Sequence, residues 1–241
     1  MKITLWVPAA EQPRWPCVMS WWNMETPDGK RMEIVPGRVV ANNIKYSWND
    51  TLKKFLDTDS DYILSMHNDV VAAPKTLMRL LSWDKPLVSA LIFMREDPVA
   101  PHIWRKRSNT DKYNLRIQDT FRWLMEHKAI NFGPFVMEPR PDDALAEIDF
   151  TSTSCTLIHR SVLEKMRERV QDMWFKWDDD LLGRGEDRNF FSNASEVGFQ
   201  AYVDRSCIVG HLVGDIPMSS ADFVAWCSAT SFMDDNKVYP Q

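Results

Sequence analysis

Apolar residues fall in two alternating patterns along the first hundred positions. "ITLWV", residues 3–7, is a short unbroken apolar run stopped by Pro8, and a run of that length predicts a buried strand. Val40, Ile44, Trp48, Leu52 and Phe55 then recur every three or four residues. That spacing predicts an amphipathic helix within residues 38–56. "DYILSM", residues 61–66, reads as a second strand. Pro74 opens a helix that carries Leu77, Leu80 and Leu81 on one face, and "PLVSALIF", residues 86–93, reads as a third strand. Strands alternating with helices argue for an α/β layer fold with a parallel sheet.

The pattern breaks between residues 96 and 148. This stretch holds several prolines, the basic run "WRKRSNTDKYNLR" and the acidic "RPDDALAE". It reads as long loops with one helix near "DTFRWLMEH", and long loops inside a compact domain are usually functional or mobile. Periodicity returns with a strand through Thr156, Leu157 and Ile158. Ser161 precedes Glu164 by three residues, which predicts a capping box for the next helix. "GEDRNFFSNASEVG" predicts another helix, with Phe190, Phe191, Ala194 and Val197 on its apolar face and Gly198 at its stop. "QAYVD" is a strand and "CIVGHLVG" a last extended piece. One domain over residues 1–214, with its loop-rich part at 96–148, and a mixed tail over 215–241 are expected. The last residues of the tail are expected to fray.

Composition narrows the class. A chain of 241 residues with 44% hydrophobic and 26% charged content suits one soluble globular domain. No apolar run approaches the roughly 20 residues that span a bilayer, so no membrane partner is expected. The start of the chain reads as a first strand rather than a signal peptide. Cys17, Cys155, Cys207 and Cys227 make no C-x-x-C pair. Buried free thiols in a reducing compartment are expected, hence a cytoplasmic location, that of a host cell if the chain is phage-encoded. Net charge is −5, so the surface as a whole does not attract polyanions. The basic run with Arg105, Lys106, Arg107, Lys112 and Arg116 fits a solvated loop or a phosphate contact equally well. Dinucleotide and P-loop glycine fingerprints are absent.

Three clusters are candidates for chemistry. His67-Asn68-Asp69 stands at the carboxyl end of a predicted strand, where α/β sheets hold ligands. Residues two apart on an extended chain point the same way, roughly 6.5 Å apart along the backbone, so His67 and Asp69 can face one ligand. A nitrogen and a carboxylate suit Mn²⁺ or a related divalent ion. A turn-capping Asp69 beside a satisfied polar His67 explains the same spacing. The second cluster is "GRGEDRNFF", where Glu186 and Asp187 precede a helix. There the helix dipole lowers a carboxyl pKa and burial raises it, so capping and general-base roles both stand. The third is His211 in "VGHLVG", which matters only if it meets Asp69 in space.

Together these segments resemble nucleotide-sugar glycosyltransferases of the GT-A fold, especially compact family-2-like forms of phages and bacteria. "DYILSMHNDVVAAPKTLMRLL" resembles their strand, Asp-x-Asp, proline and helix, with His67 in place of the first aspartate. "DKPLVSALIFMREDPVAP", "TSTSCTLIHRSVLEKM" and "GRGEDRNFFSNASEVGFQAYVDRSCIVGH" follow in family order, over about residues 3–213. The resemblance implies a Rossmann-like, mixed and mostly parallel sheet flanked by helices. It implies that Asp69 and His211, with His67, bind Mn²⁺ or Mg²⁺, and that Pro8, Ala9, Asn43, His67, Asn68 and Asp69 contact the donor. Asp187 would be the base, with Glu186 helping to hold the acceptor, and Trp177, Arg105 and Arg107 are acceptor candidates. Two departures stand out. His67 replaces an acid, so metal affinity is expected to weaken as imidazole protonates below about pH 6.5. The turn at Ser152–Ser154 lacks the family's glycines.

The implied function is metal-dependent, inverting transfer of a sugar from a nucleotide-diphosphate donor, foremost a UDP-sugar, to a hydroxyl. A hydroxymethylated pyrimidine in phage DNA is one acceptor, because arginine and lysine meet phosphates and aromatic rings stack on bases. A glycan is another. The competing readings are a non-catalytic binder of sugar nucleotides or nucleic acid on the same fold, and a nucleotidyltransferase that would release pyrophosphate.

Overall fold

The computed structural model describes residues 1–9, 14–29, 33–38, 44–97, 99–106, 113–176 and 185–230. The N-terminal half runs β1 (Ile3–Ala9), α1 (Trp15–Trp22), β2 (Glu33–Arg38), α2 (Ile44–Leu56), β3 (Tyr62–Met66), β4 (Val70–Val71), α3 (Thr76–Leu81) and β5 (Leu87–Leu91). The middle adds β6 (Ile103–Lys106), β7 (Tyr113–Leu115), α4 (Ile117–Glu126), β8 (Phe135–Val136), β9 (Leu145–Ile148) and β10 (Phe150–Thr151). The remainder is β11 (Cys155–His159), α5 (Arg160–Val170), α6 (Glu186–Glu196), β12 (Ala201–Ile208), β13 (Gly210–Val213), β14 (Ile216–Met218) and α7 (Ser220–Thr230).

Among the described residues the main sheet has eight strands, ordered β2-β1-β3-β11-β5-β12-β8 with β9 also on β12. β2, β1, β3, β5 and β12 run one way, whereas β11 lies antiparallel between β3 and β5. The fold is thus mixed α/β with a mostly parallel central sheet flanked by helices, as expected. Side chains alternate across it, as the pleat demands. Trp6, Ile63, Leu87 and Ile158 face one core with α2, α5 and α6. Leu5, Leu64, Val88 and Leu157 face the other with α1 and α3. The first three predicted strands and both early helices are therefore present, and β1 runs one residue beyond Pro8.

The loop-rich middle is more ordered than expected. It holds four short strands besides the predicted helix, and β6 pairs with β7 and β10 in a small separate sheet. Strands of two to four residues are too short to show a two-residue period above background. The capping box is also displaced. α5 begins one residue earlier, at Arg160, and His159 is its cap, with Nδ1 accepting from the Ser161 amide at 3.2 Å. α6 follows the expected face and stops at Gly198, whose φ of +94° favours a residue without a Cβ.

Between residues 215 and 230 the chain stays packed. β14 pairs with β13, and Phe223 of α7 is fully buried against Phe93 with ring centroids 5.2 Å apart. All four cysteines are free and buried. Among the described residues no helix is long and apolar enough to cross a membrane.

Candidate active site

β3 and β5 end on the same edge of the sheet. β11, running the opposite way, begins there, with Cys155 opposite Met66. That edge therefore collects the residues after Met66, those after Leu91 and those before Cys155. Carboxyl ends of parallel strands are where α/β folds bind ligands.

Asp69 is fixed in place by its backbone. Its carbonyl accepts the Leu212 amide at 2.8 Å, and β13 lies antiparallel to β4 with His211 opposite Val70. This pairing brings His211 Nε2 to 3.4 Å from Asp69 Oδ2. The imidazole is held from behind, since its Nδ1 lies 3.2 Å from the Phe93 carbonyl. Gly210 is required beside it, because a Cβ at that position would come within 2.4 Å of the Pro217 Cβ. Arg95 Nη1 reaches the same Asp69 oxygen at 2.8 Å. Burial alone would raise the Asp69 pKa. The His211 hydrogen bond and charge, with the charges of His67 and Arg95, outweigh burial and hold it at about 2.

His67 is tied to the other half of the site. Its amide donates to the Ser154 carbonyl at 3.0 Å, its Nδ1 lies 3.1 Å from Ser154 Oγ, and its ring packs 5.3 Å from that of Trp48. Nε2 is buried without a hydrogen-bond partner. Burial is the main reason that its pKa falls to about 4. The imidazole therefore stays neutral down to about pH 4, which moves the expected onset of protonation from about 6.5 to that value.

Ser154 Oγ also bonds Ser152 Oγ, and Ser152 in turn lies near enough to Asp187 to favour its ionised form. Thr153 donates to Asp187 Oδ1 twice, from its amide at 3.1 Å and its hydroxyl at 2.6 Å. A polar chain thus runs from His67 through Ser154 and Ser152 to Asp187. Asp187 and Glu186 open α6 after Gly185. There the contest between helix dipole and burial goes to burial. Protein atoms crowd the carboxyl group of the part-covered Asp187, and burial is the largest influence on it, followed by repulsion from Glu186. Its pKa rises to about 7 despite the Thr153 bonds and the nearness of Ser152. Glu186 is raised as well, by burial.

The other predicted contacts divide. Asn68 stands in the turn between β3 and β4. Pro8 and Ala9 lie in β1 beside Gly37 and Arg38 of β2. Asn43, Arg107 and Trp177 lie outside the described residues. Arg105 lies on β6 and faces Asp149 at 3.8 Å. Sequence reasoning missed Thr153 and Arg95. The small-residue turn was a signal for the first, and the strand-end position of "MRED" for the second.

Asp69 and His211 are the pair in this site that could hold a divalent ion. One carboxylate and one imidazole converge, and oxygen atoms of a bound molecule would have to complete the coordination of Mn²⁺ or Mg²⁺. Among the described residues no group of three or more His, Cys, Asp or Glu could hold a metal, so His67 adds no third ligand to Asp69 and His211 in this arrangement.

No protein-family model and no curated protein matches the sequence. Solved structures do match. A197 from STIV is 17% identical, with a TM-score of 0.56 over 91% of each chain. The fold is GT-A. TarS 1–349 from S. aureus is 13% identical and has a TM-score of 0.49, with 87% of this chain matching 59% of that one. At 17% identity the likeness to A197 is one of fold alone, and the chemistry has to come from the site.

Proposed function

We propose that the chain is an inverting, metal-dependent glycosyltransferase that moves a sugar from a nucleotide-diphosphate donor, foremost a UDP-sugar, to a hydroxyl group. The observation that carries the reading is Asp187. It is a carboxyl group poised near neutral pH, and Ser152 and Ser154 lie between it and His67, two residues before Asp69. A base with a pKa near the working pH is the most effective proton acceptor.

In this reading Asp187 accepts the acceptor's hydroxyl proton. The freed oxygen attacks the anomeric carbon while the bond from that carbon to the diphosphate oxygen breaks on the opposite face. A single displacement of this kind inverts the centre. Thr153 keeps the carboxylate aimed, and Glu186 helps hold the acceptor. When bound, a divalent ion at Asp69 and His211 would supply Lewis-acid charge for the departing diphosphate.

A hydroxymethylated pyrimidine in DNA is the acceptor we put first. β6, which carries Arg105 and Lys106, is the strand beside β10, and α6 packs on β10. The Arg188 guanidinium there lies 5.9 Å from the Phe150 ring centre. Cations beside an aromatic wall next to the base suit a phosphate backbone and an extruded base. The experiment is incubation with Mn²⁺ and a panel of UDP- and GDP-sugars, with and without hydroxymethylcytosine or hydroxymethyluracil DNA. Released nucleoside diphosphate and a hexose-sized mass gain on the DNA are expected. Transfer to glycans alone removes the DNA acceptor, and no release from any donor overturns the reading.

A further inference from the structure

Arg95 lies four residues past the end of β5, with a side chain close to half exposed. The backbone around it is anchored, since the His102 amide donates to the Ile92 carbonyl and the Met94 amide to the Ala100 carbonyl, both at 2.9 Å. The guanidinium itself sits at the end of a flexible stem. It rests on Asp69 Oδ2 at 2.8 Å, the oxygen that also faces His211. In the free chain, therefore, a cation already occupies the carboxylate oxygen nearest the second candidate ligand.

A divalent ion and a guanidinium cannot share one carboxylate oxygen without strong like-charge repulsion. An ion arriving at Asp69 and His211 displaces Arg95, and the anchored backbone keeps the displaced group within reach of the same corner. The anion that arrives with the ion is the donor's diphosphate. A planar guanidinium fork matches phosphate oxygens two at a time, which an ammonium does not.

We propose that Arg95 is a donor-binding residue that neutralises Asp69 in the free chain and passes to the diphosphate once a divalent ion takes Asp69. This rests on the glycosyltransferase reading and adds to it a diphosphate contact together with a competition between side chain and ion. The two halves have opposite signs in one variant. Arg95→Ala removes the competitor, so Mn²⁺ alone binds tighter, by about three- to fivefold, the scale of an exposed ion pair. It also removes the phosphate contact, so UDP or GDP at saturating Mn²⁺ binds weaker, by about tenfold or more.

The experiment measures Mn²⁺ binding to the full chain by loss of the free-ion paramagnetic resonance signal, and UDP and GDP binding by calorimetry at saturating Mn²⁺. Parent, Arg95→Ala and Arg95→Lys are compared, with thermal melts confirming that each is folded. Arg95→Lys keeps a competing charge without the fork, so its Mn²⁺ affinity stays near that of the parent while diphosphate binding drops. Arg95→Ala must show both changes. If it binds Mn²⁺ no tighter than the parent, or binds the diphosphates as well as the parent, the proposal is overturned and Arg95 is a surface ion pair. A parent that binds neither Mn²⁺ nor either diphosphate overturns the glycosyltransferase reading along with it.

Discussion

Thr153 gives Asp187 two hydrogen bonds on a single oxygen, from its amide at 3.1 Å and its hydroxyl at 2.6 Å. Both bonds favour the ionised form and so work against burial and Glu186, which favour the protonated one. The carboxylate near neutrality is the balance of these influences, and several outcomes depend on it.

Asp187→Asn should abolish transfer, lowering the rate by about a hundredfold or more, the usual contribution of a positioned base. Asparagine retains an oxygen that can accept both Thr153 bonds, so the fold should survive. Stability should respond in a definite direction. The folded-state pKa of about 7 lies above the ordinary aspartate value. The stability that protonated Asp187 contributes is thus fully present below about pH 4 and is lost as the pH rises through 7. The variant, neutral at every pH, should melt above the parent at pH 8, with the gap closing by pH 4. A gap that is the same at both values would remove the raised pKa.

Transfer by the parent should rise with pH through about 7 and level off above it, because the base must be ionised. Thr153→Val keeps the shape and the amide bond but removes the hydroxyl. That should move the rise upward by about one pH unit, the scale of a lost hydrogen bond to a charge, while Thr153→Ser leaves it in place. Rate profiles from pH 5 to 9 decide the matter, and coincident profiles for parent and Thr153→Val would reduce Thr153 to a packing residue.

Gly210→Ala drives a methyl group to 2.4 Å from Pro217. The β13–β14 hairpin must shift, at about 1–3 kcal/mol for a misfit of this kind. His211 stands next in the chain, so Mn²⁺ binding should weaken along with the melting temperature. Unchanged metal binding in a destabilised variant would separate His211 from the ion.

Phe223→Ala empties a fully buried site against Phe93 and should destabilise the chain by about 3–5 kcal/mol. Because the Phe93 carbonyl holds His211, the loss should reach the candidate site too. Denaturant unfolding gives the first number. A loss below about 1 kcal/mol would mean that α7 adds little to the domain.

Much of this fold was legible from periodicity. Trp48, Leu52 and Phe55 on α2, and Ile63 and Leu64 on β3, are buried runs of sufficient length to betray their elements. The short strands of the middle were not legible, nor was the insertion of β11 between β3 and β5, because strand order depends on contacts far apart in sequence. In the site, His67, Asp69, Glu186, Asp187 and His211 could be picked out as residue types at strand and helix ends. What brings Asp69 to His211 is the β4–β13 pairing, two strands of two and four residues. The state of Asp187 was out of reach for a different reason: dipole, burial and hydrogen bonds act in opposing directions, and only atomic surroundings rank them. Arg95 and Thr153 were hidden because neither residue type is marked as chemical by itself.

The reversed strand β11 makes the Thr151–Ser154 turn a ruler between two halves of the chemistry. Ser154 meets His67 on one side, and Ser152 and Thr153 meet Asp187 on the other. A residue added to this turn would move Thr153 off Asp187 or Ser154 off His67. Over evolutionary time the span from Thr151 to Cys155 is therefore held to one length from both sides at once.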